Sequence, residues 1–535
     1  MKLKQTETER LLKERAYGMF HAFRSAYAEE WQRLERCERM YRGDHWYDVP
    51  VTDPNEPRPC TPIIQSTVEN ITADLMDQVP EAVIRPESAC DATIAQVVEA
   101  VICRNHDAAS YPSEYRKLVH DLLVGGYCVQ EVGYDSTLNG GLGGAFIRHV
   151  DNRSILFDPL ATDVADGRAV FKLALRARDW VKAHYPNKAD ALTDDLAAVG
   201  DAPQDALLHP DRTDSLLLLE YWWREYDAEN DRHAVHMALL AGGVVLEDSR
   251  IQKPEGYFGH GTYPFVLTTL YPRKGSALGL GIVDLFGAQQ RYADKLDQIV
   301  LKNAFMASHN KLLVTEASGF DADDLKDWAK EVHTGESLNG VTWFATPPLP
   351  SYLLDYIQKI RSDIKEESGA NESSRGLAAN GVTAASAIEA LQEMSTKRAR
   401  MATTQLHESF RFAVRLEIET EREFNYFLRP VTVTVDGQAR EMLFDSALMM
   451  RSGVGNTLLP VEFSVSIKAV RQNRFSVTAQ NDLMLKLLDL GAVTRSQAIA
   501  LMSFAGKEQV LKGMDEAQSA HAVQPNQTKR IGGKQ

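Results

Sequence analysis

Ala385 to Leu428, ASAIEALQEMSTKRARMATTQLHESFRFAVRLEIETEREFNYFL, is 44 residues without a proline or a glycine. It is dense in Ala, Glu, Arg, Leu and Met, all strong helix formers. Its composition predicts one nearly uninterrupted helix. At about 1.5 Å per residue that helix would be roughly 65 Å long, longer than a compact domain is wide. A helix of that length inside a globular chain is a strut across a large assembly, not the wall of an enzyme pocket. A Gly/Ala/Ser-rich loop, Gly369 to Gly381, precedes it, and a shorter helical segment, Tyr352 to Glu367, precedes the loop.

Working outward, the 535 residues suffice for three or four domains. A hydrophobic content of 44% and a charged content of 25% are those of a globular protein with a full core. The net charge of −15 argues against a surface that grips nucleic acid throughout, because tight phosphate binding needs a basic face. It does not exclude a channel that nucleic acid slides past. No run of 18 apolar residues exists, and the run Leu216–Leu219 is cut by Glu220, so no membrane span is expected. Met1-Lys2-Leu3-Lys4-Gln5 runs into Glu- and Arg-rich sequence, unlike a signal peptide. Cys37, Cys60, Cys90, Cys103 and Cys128 form no C-x-x-C pair, which argues for a reducing compartment and for small buried hydrophobes.

Leu12, Ala16, Met19, Phe23, Tyr27, Trp31 and Leu34 recur at helical spacing and predict an amphipathic N-terminal helix stopping at Gly43. A Pro-rich linker, Pro50 to Pro62, leads to a helix over Ile63–Gln78 and a short strand over Ala82–Pro86. A helical stretch, Ala89–Leu123, breaks near Tyr111-Pro112. Tyr127–Tyr134 and Ala145–Val150 read as a hairpin around a Gly-rich loop, and Ala169–Leu175, Leu216–Tyr226, His233–Leu240 and Gly243–Leu246 as strands. Asp201–Asp214 reads as a surface loop. Helix resumes at Gly279-Leu280-Gly281 and runs to about His309. Lys311–Thr315 (strand), Asp321–Val332 (helix) and Val341–Phe344 (strand) make a small mixed unit. Val431–Val435 and Val461–Val470 alternate like strands, and Thr478–Asp489, Thr494–Met502 and a segment from Lys507 read as helices.

Chemical motifs are sparse. Gly275 to Gly281 lacks the Lys-Ser/Thr of a phosphate loop and reads as a tight lead-in to a packed helix. Asp158, Asp163 and Asp166 lack Ca²⁺-loop spacing and read as a solvated turn. His233 and His236, three apart in a strand, would not share a face. No G-x-S-x-G, H-E-x-x-H or Cys/His signature occurs. Asp321, Asp323 and Asp324 read as the capping, charged first turn of a helix.

The order of features resembles the portal, or head-to-tail connector, proteins of tailed bacteriophages. Tyr41-Arg42-Gly43-Asp44-His45-Trp46 is similar to the family's Tyr-x-Gly-x-Gln-Trp, with His for Gln. Asn70-Ile71, then Gln78-Val79-Pro80 and Val83-Ile84-Arg85-Pro86, resembles its Asn-Ile, Pro and strand-Pro succession. Gly125-Gly126-Tyr127 with Val129–Tyr134 resembles the Gly-rich start of its β region, and Phe157-Asp158-Pro159 its Asp-Pro turn. Tyr271–Asn310 resembles the approach to its stem, and Thr383, Ser386 and Ile388 the opening of its long helix. The resemblance spans residues 10–510.

It implies an α+β, elongated portal fold, mostly helical, with a β-rich wing, two stem helices, a small α/β clip, a long wing helix and a C-terminal helical crown, in a ring oligomer of about twelve subunits. The implied boundaries are 1–279 for N-terminal helices and wing, 280–310 for a stem helix, 311–350 for the clip, 351–367 for a second stem helix and 368–384 for a tunnel loop. The long wing helix would be 385–428, a wing β segment 429–470, crown helices 471–515 and a disordered tail 516–535. By the same resemblance the ring sits at one capsid vertex of the virion and is assembled in the host cytoplasm. Double-stranded DNA is packaged and ejected through its channel. Its partners would be the major capsid protein, scaffold, the terminase large subunit and then tail adaptors, with no membrane, cofactor, metal or catalysis. Arg375, Asn371 and Asn380 would face DNA in the tunnel loop. Asp321, Asp323, Asp324, Lys326, Trp328 and Trp343 would dock the motor and tail. In the first stem helix Leu285, Phe286, Leu296, Ile299 and Val300 would pack on neighbours, and Gln289, Gln290, Asp294 and Asp297 would face solvent. The alternative, a nucleic-acid-processing enzyme with a long helical insertion, needs a clustered catalytic constellation and a basic footprint, and the sequence shows neither.

Overall fold

The computed structural model describes residues 7–77, 79–88, 91–193, 215–227, 232–308, 311–321, 323–326, 330–344, 347–368, 397–425, 427–435, 438–452, 458–469 and 474–502, with isolated helical residues at 507 and 510. The chain divides into two compact units, residues 1–76 with 80–468, and residues 77–79 with 469–535.

The larger unit opens with helix α1, Glu7–Tyr41. Its buried stripe is Leu12, Ala16, Phe20, Phe23, Tyr27, Leu34 and Cys37. Met19 and Trp31, expected in that stripe, pack at its margins, and Phe20 takes the central place. Gly43, at φ +85°, ends the turn after α1 as the sequence predicts. Residues 44–62 carry no regular structure, and α2 follows at Ile63–Met76. Strand β1 is Pro80–Pro86. The long helical stretch resolves into α3, Ala92–Ala108, and α4, Tyr111–Gly125, with Pro112 in the first turn of α4. Proline is tolerated there because its missing N–H would have had no helical partner.

Two antiparallel sheets follow. Strands β2 (Tyr127–Asp135) and β3 (Gly144–Val150) form the expected hairpin. Strands β4 (Ile155–Phe157), β5 (Ala169–Ala177), β6 (Ser215–Asp227), β7 (Arg232–Ala241) and β8 (Val244–Asp248) run as a five-stranded meander in sequence order. Between β5 and β6 lies α5, Arg178–His184. Strand β9, Phe265–Thr269, adds to the hairpin in the order β3-β2-β9. The face of the five-stranded sheet that carries the buried aromatics packs on α1. Phe171 takes Phe20 and Phe23 edge-on at 5.7 and 5.4 Å and stacks on Tyr221 at 4.9 Å, which stacks on Trp223 at 4.9 Å. Such rings bury large area and prefer offset or edge contacts, which fixes the helix on the sheet.

Short strands β10 (Tyr271–Pro272) and β11 (Gly279–Leu280) pair before α6, Ile282–Ser308. Strands β12 (Lys311–Val314) and β13 (Val341–Phe344) form an antiparallel ribbon beyond it, and α7, Tyr352–Ser368, returns alongside α6. Helix α8 is described from Lys397 to Phe424. Its buried residues include Leu406, Phe410, Ala413, Val414 and Glu417, and it packs across β2, β3 and β9. The N-terminal part of the predicted helix, residues 385–396, lies outside the described residues. The C-terminal end falls at Phe424, short of Leu428, because Asn425 closes the last turn and Arg429 already begins a strand.

Strands β14 (Arg429–Val435) and β15 (Gln438–Phe444) form a second hairpin, β16 (Met450–Ser452) pairs with β17 (Leu458–Pro460), and β18 (Phe463–Ala469) pairs with β1. The fold is α+β. The second unit contains α9, Arg474–Asp489, and α10, Arg495–Leu501. Thr494 and Gln497 form a capping box at the start of α10, satisfying two orphan N–H groups reciprocally.

Candidate functional site

Exposed large hydrophobic side chains are frequent on the helical pair α6–α7 and the ribbon between them. The base of this pair is built from glycines. A Cβ on Gly126, at φ +87°, would lie 2.3 Å from the Leu280 carbonyl carbon, and one on Gly281 would lie 2.5 Å from the Val124 oxygen. Only glycine lets the end of α4 cross the start of α6 this closely, so Gly279-Leu280-Gly281 is the tight lead-in that its sequence predicts. Asp284 then caps α6 by accepting from the Gly281 N–H at 2.9 Å.

A buried charge cluster ties α1 to this base. Arg33 donates to Glu30 at 2.6 Å, to Asp284, and to the Gly125 carbonyl at 2.7 Å. Burial works against the Arg33 guanidinium charge, but its bonds to Glu30 and Asp284 raise its pKa. Burial pushes the nearby Cys37 thiol up, aided by the Asp284 charge.

Farther along α6, His45 Nδ1 lies 2.6 Å from Asp294 Oδ2 and His45 Nε2 lies 3.1 Å from the Met40 carbonyl. Asp294 Oδ1 also accepts from Gln290 Nε2 at 3.1 Å and from the Thr61 N–H at 3.3 Å. Gln290 and Asp294 are therefore buried, not facing solvent as expected, because residues 44–61 cover this side of the helix. Asp297 takes Arg361 of α7 at 2.6 Å. Burial and the Asp294 charge hold the Cys60 thiol above its ordinary range.

The opposite side of α6 is different. Leu285, Tyr292, Ile299 and Met306 recur every seven residues and are 43%, 64%, 46% and 47% exposed. On α7, Ile357, Ile360 and Ile364 are buried, whereas Tyr352, Leu354 and Tyr356 are exposed. Of the expected packing residues, Leu285 and Ile299 are exposed, Leu296 and Val300 are half-buried and Phe286 is buried within the chain.

In the ribbon, Leu312 faces Trp343 and Leu313 faces Thr342. Trp343 and Leu313 are exposed. The predicted helix over Asp321–Val332 is not formed among the described residues of that stretch, which hold a single 3₁₀ turn, Asp324–Lys326. Asp321 accepts from the Asp323 N–H at 3.0 Å, a cap-type bond that starts a turn but does not extend it. Lys330 folds back on Asp324, with His333 Nδ1 3.3 Å from the same carboxylate. Leu325, Trp328, Ala329 and Val332 stand at helical spacing, but Val332 is exposed, so packing does not reward a longer helix. Asp323 is held below the usual carboxylate range by its bond to Lys326, at 2.7 Å, and Asp324 by its bonds to Lys330 and His333. Trp328, Arg375, Asn371 and Asn380 lie outside the described residues, as does the loop 369–384.

Other sequence candidates resolve into structural roles. Asp158 is buried and takes Arg168 at 2.6 and 3.0 Å, so it is not a solvated turn residue; Asp163 caps the 3₁₀ turn Val164–Asp166. His236 is buried against Trp223, while His233 is exposed beside Tyr226. Among the described residues no group of three or more His, Cys, Asp or Glu is placed to hold a metal ion, and no helix is long and apolar enough to cross a membrane.

Set against known families, residues 17–423 match the phage P22-like portal protein family, well over half of the chain. The chain belongs to that family. A search of curated proteins found no match. Membership makes this chain a phage portal protein, a component of the virion capsid that serves genome packaging at the head-tail connection. The portal family is structural, forming oligomeric rings that meet capsid and terminase, and the reading as a nucleic-acid-processing enzyme has no support. The residue pattern that sequence reasoning missed is residues 44–61 on α6. Its four prolines, Pro50, Pro54, Pro57 and Pro59, disguise a docked segment as a linker.

Proposed function

We propose that this portal protein closes into a ring of about twelve copies, with α6 and α7 as stem helices around a channel for double-stranded DNA. The observation that carries this is the stripe Leu285, Tyr292, Ile299 and Met306 on α6. Four large side chains at seven-residue spacing, each about half exposed, form a seam that a second helix can fill. A head-to-tail contact of this kind, repeated by rotation, closes a ring. Residues 311–350 are the clip, with Asp321, Asp323, Asp324, Lys326, Trp328 and Trp343 meeting the terminase large subunit during packaging and tail adaptors afterwards. An exposed tryptophan is the kind of side chain that anchors protein interfaces. Residues 368–384 are the tunnel loop, in which Arg375, Asn371 and Asn380 face DNA. Residues 385–428 are the long wing helix, 429–470 a wing β segment and 471–515 the crown. Capsid protein and scaffold receive the ring at one vertex, in the host cytoplasm, and the genome later leaves by the same channel.

With −15 per chain, DNA contact is weak, sequence-independent and lost as salt rises. Native mass measurement tests the reading. Wild-type protein gives a closed ring, and Ile299→Asp gives a folded monomer with unchanged circular dichroism. A monomeric wild type at micromolar concentration, or a ring untouched by Ile299→Asp, would reject it.

A further inference from the structure

Two sides of α6 are occupied within the chain. One buries Ile282, Val283, Phe286, Gln290, Ala293 and Asp294. Residues 44–61 cover the next: Asp48 pairs with Arg291 at 2.7 Å, the Pro57 carbonyl accepts from Gln298 at 2.9 Å, and Glu56 pairs with Lys302. The remaining face carries Leu285, Tyr292, Ile299 and Met306, with Lys295 one turn from both Tyr292 and Ile299. Lys295 is exposed and makes no ion pair among the described residues.

Helix α7 has a free face of its own. Ile357, Ile360 and Ile364 are buried, and Arg361 reaches Asp297 of α6 at 2.6 Å. Tyr352, Tyr356, Lys359 and Asp363 follow at spacings of four, three and four, which places them on one helical face, about a third of a turn from the isoleucines. Tyr352 and Tyr356 are more than half exposed, Lys359 is exposed and Asp363 is half-buried. Asp363 also makes no ion pair among the described residues, so it does not reach Lys295 of its own chain.

The two faces match in height. Helix α7 runs back along α6, and the Asp297–Arg361 contact marks one level on both. Met306 stands nine residues beyond Asp297, and Tyr352 stands nine residues before Arg361. Both therefore lie about 14 Å above that level. Ile299 and Lys359 lie two residues above it, with Tyr356 a turn higher, and Lys295 and Asp363 lie two residues below. Rotation about an axis along the helix pair changes direction but not height. Groups that meet across a ring contact share a height, and here apolar meets apolar above while cation meets carboxylate below.

We propose that the α6 face of one copy packs on the α7 face of the next, Met306 and Ile299 against the partner subunit's Tyr352 and the partner subunit's Tyr356, with Lys295 paired to the partner subunit's Asp363. Two different faces meet, so the contact is head-to-tail and every copy uses both. The ion pair sets register more than strength, since exposed pairs add little. A copy displaced by one helical turn in one direction brings Lys295 against the partner subunit's Lys359, and like charges reject that docking. The inference rests on the reading of α6 and α7 as stem helices of a ring, and its test separates the two.

Carbodiimide joins an amine to a carboxylate only where they touch. Applied to wild-type rings isolated by size exclusion, it gives a gel ladder at multiples of one chain. The Lys295–Asp363 linked peptide is found in bands above one chain and not in the single-chain band. Lys295→Arg keeps the charge and the ring and loses that peptide. Asp363→Lys sets cations together and lowers the yield of rings about fivefold, and Lys295→Asp with Asp363→Lys restores it. A wild type that forms no ring overturns the ring reading and this inference together. Rings in which Lys295 links to nothing or to another carboxylate, or in which the double exchange recovers nothing, overturn the pairing and leave the ring standing.

Discussion

Arg429, the first residue of β14, donates to Glu421, near the end of α8, at 2.6 Å, with both side chains about 1% exposed. Glu421 also accepts from Asn105 of α3 at 2.6 Å and from the Ala145 N–H of β3 at 2.7 Å. One carboxylate therefore joins the long helix, a flanking helix and two strands. Burial pushes its pKa up, opposed by the Arg429 charge and these bonds. Arg429→Ala leaves that carboxylate buried without its cation and should cost about 3–5 kcal/mol. Thermal melting of the purified protein checks this; a change under about 1 kcal/mol would contradict it.

Gly126→Ala should be as damaging by another route. Its Cβ would meet the Leu280 backbone at 2.3 Å, and its φ of +87° is strained for any other residue. The start of α6 would have to move away from α4. The expected result is little soluble protein and no rings on size exclusion, whereas Gly18→Ala, on α1 with open space around it and no positive φ, should still assemble.

His120 lies 3.1 Å from Glu38 and edge-on to Tyr41 at 4.8 Å. Burial opposes the charge on His120, but the bond to Glu38 and its charge outweigh it and raise the pKa. A raised histidine pKa adds stability that is fully present below the unfolded value, near about 6.5, and lost as pH rises through the folded value. His120→Gln should therefore cost about 1 kcal/mol at pH 5.5 and markedly less at pH 8.5. Denaturation curves at the two pH values measure the difference, and an equal cost at both would refute the pairing.

Deleting Thr315–Thr346 removes the ribbon's tip and one of its strands but none of the buried residues of α6 or α7. Rings should still form, though less completely, and DNA packaging in an infection assay should stop. Normal packaging by this deletion would reject the docking assignment. A single change, Trp343→Ala, should weaken terminase binding by roughly tenfold or more, the scale of an interface anchor.

Arg375→Ala tests the tunnel loop. Gly369, Gly376, Gly381 and the alanines around Arg375 offer little to bury, so melting should shift by under about 0.5 kcal/mol. Around a ring one arginine per copy becomes a belt of weak, additive phosphate contacts. The amount of DNA packaged or retained should change. Failure of ring formation with normal DNA handling would make the loop structural.

What the sequence shows of this fold follows from where its periodicity is driven by burial. The α1 stripe, the break at Tyr111-Pro112, the β2–β3 hairpin and α7 are legible because an apolar face or a backbone constraint decides each. The residues around Asp321 misled because acidic caps and helix formers set a local preference that no packing supports. The loop on α6 was invisible because its contacts are polar, long-range and irregular; prolines and a lone His45 carry no period. Strand β15 was missed since Gln438–Phe444 mixes charged and apolar residues, with Leu443 exposed beside buried Phe444. The exposed seam of α6 was half legible: apolar character names Leu285 and Ile299 along with Phe286, Leu296 and Val300, but only the covered side reveals which face remains.

The β12–β13 ribbon has two strands of four residues, with Leu313 and Trp343 in water. A ribbon that small has little intrinsic order of its own. Whatever settles on it supplies the missing layer and chooses its final shape. If partners dock there as proposed, successive ones would mould the same eight strand residues differently, and a handover from one to the next would need no second binding surface. The tip behaves as a soft gasket on a stiff pipe, its fit decided by the flange pressed against it.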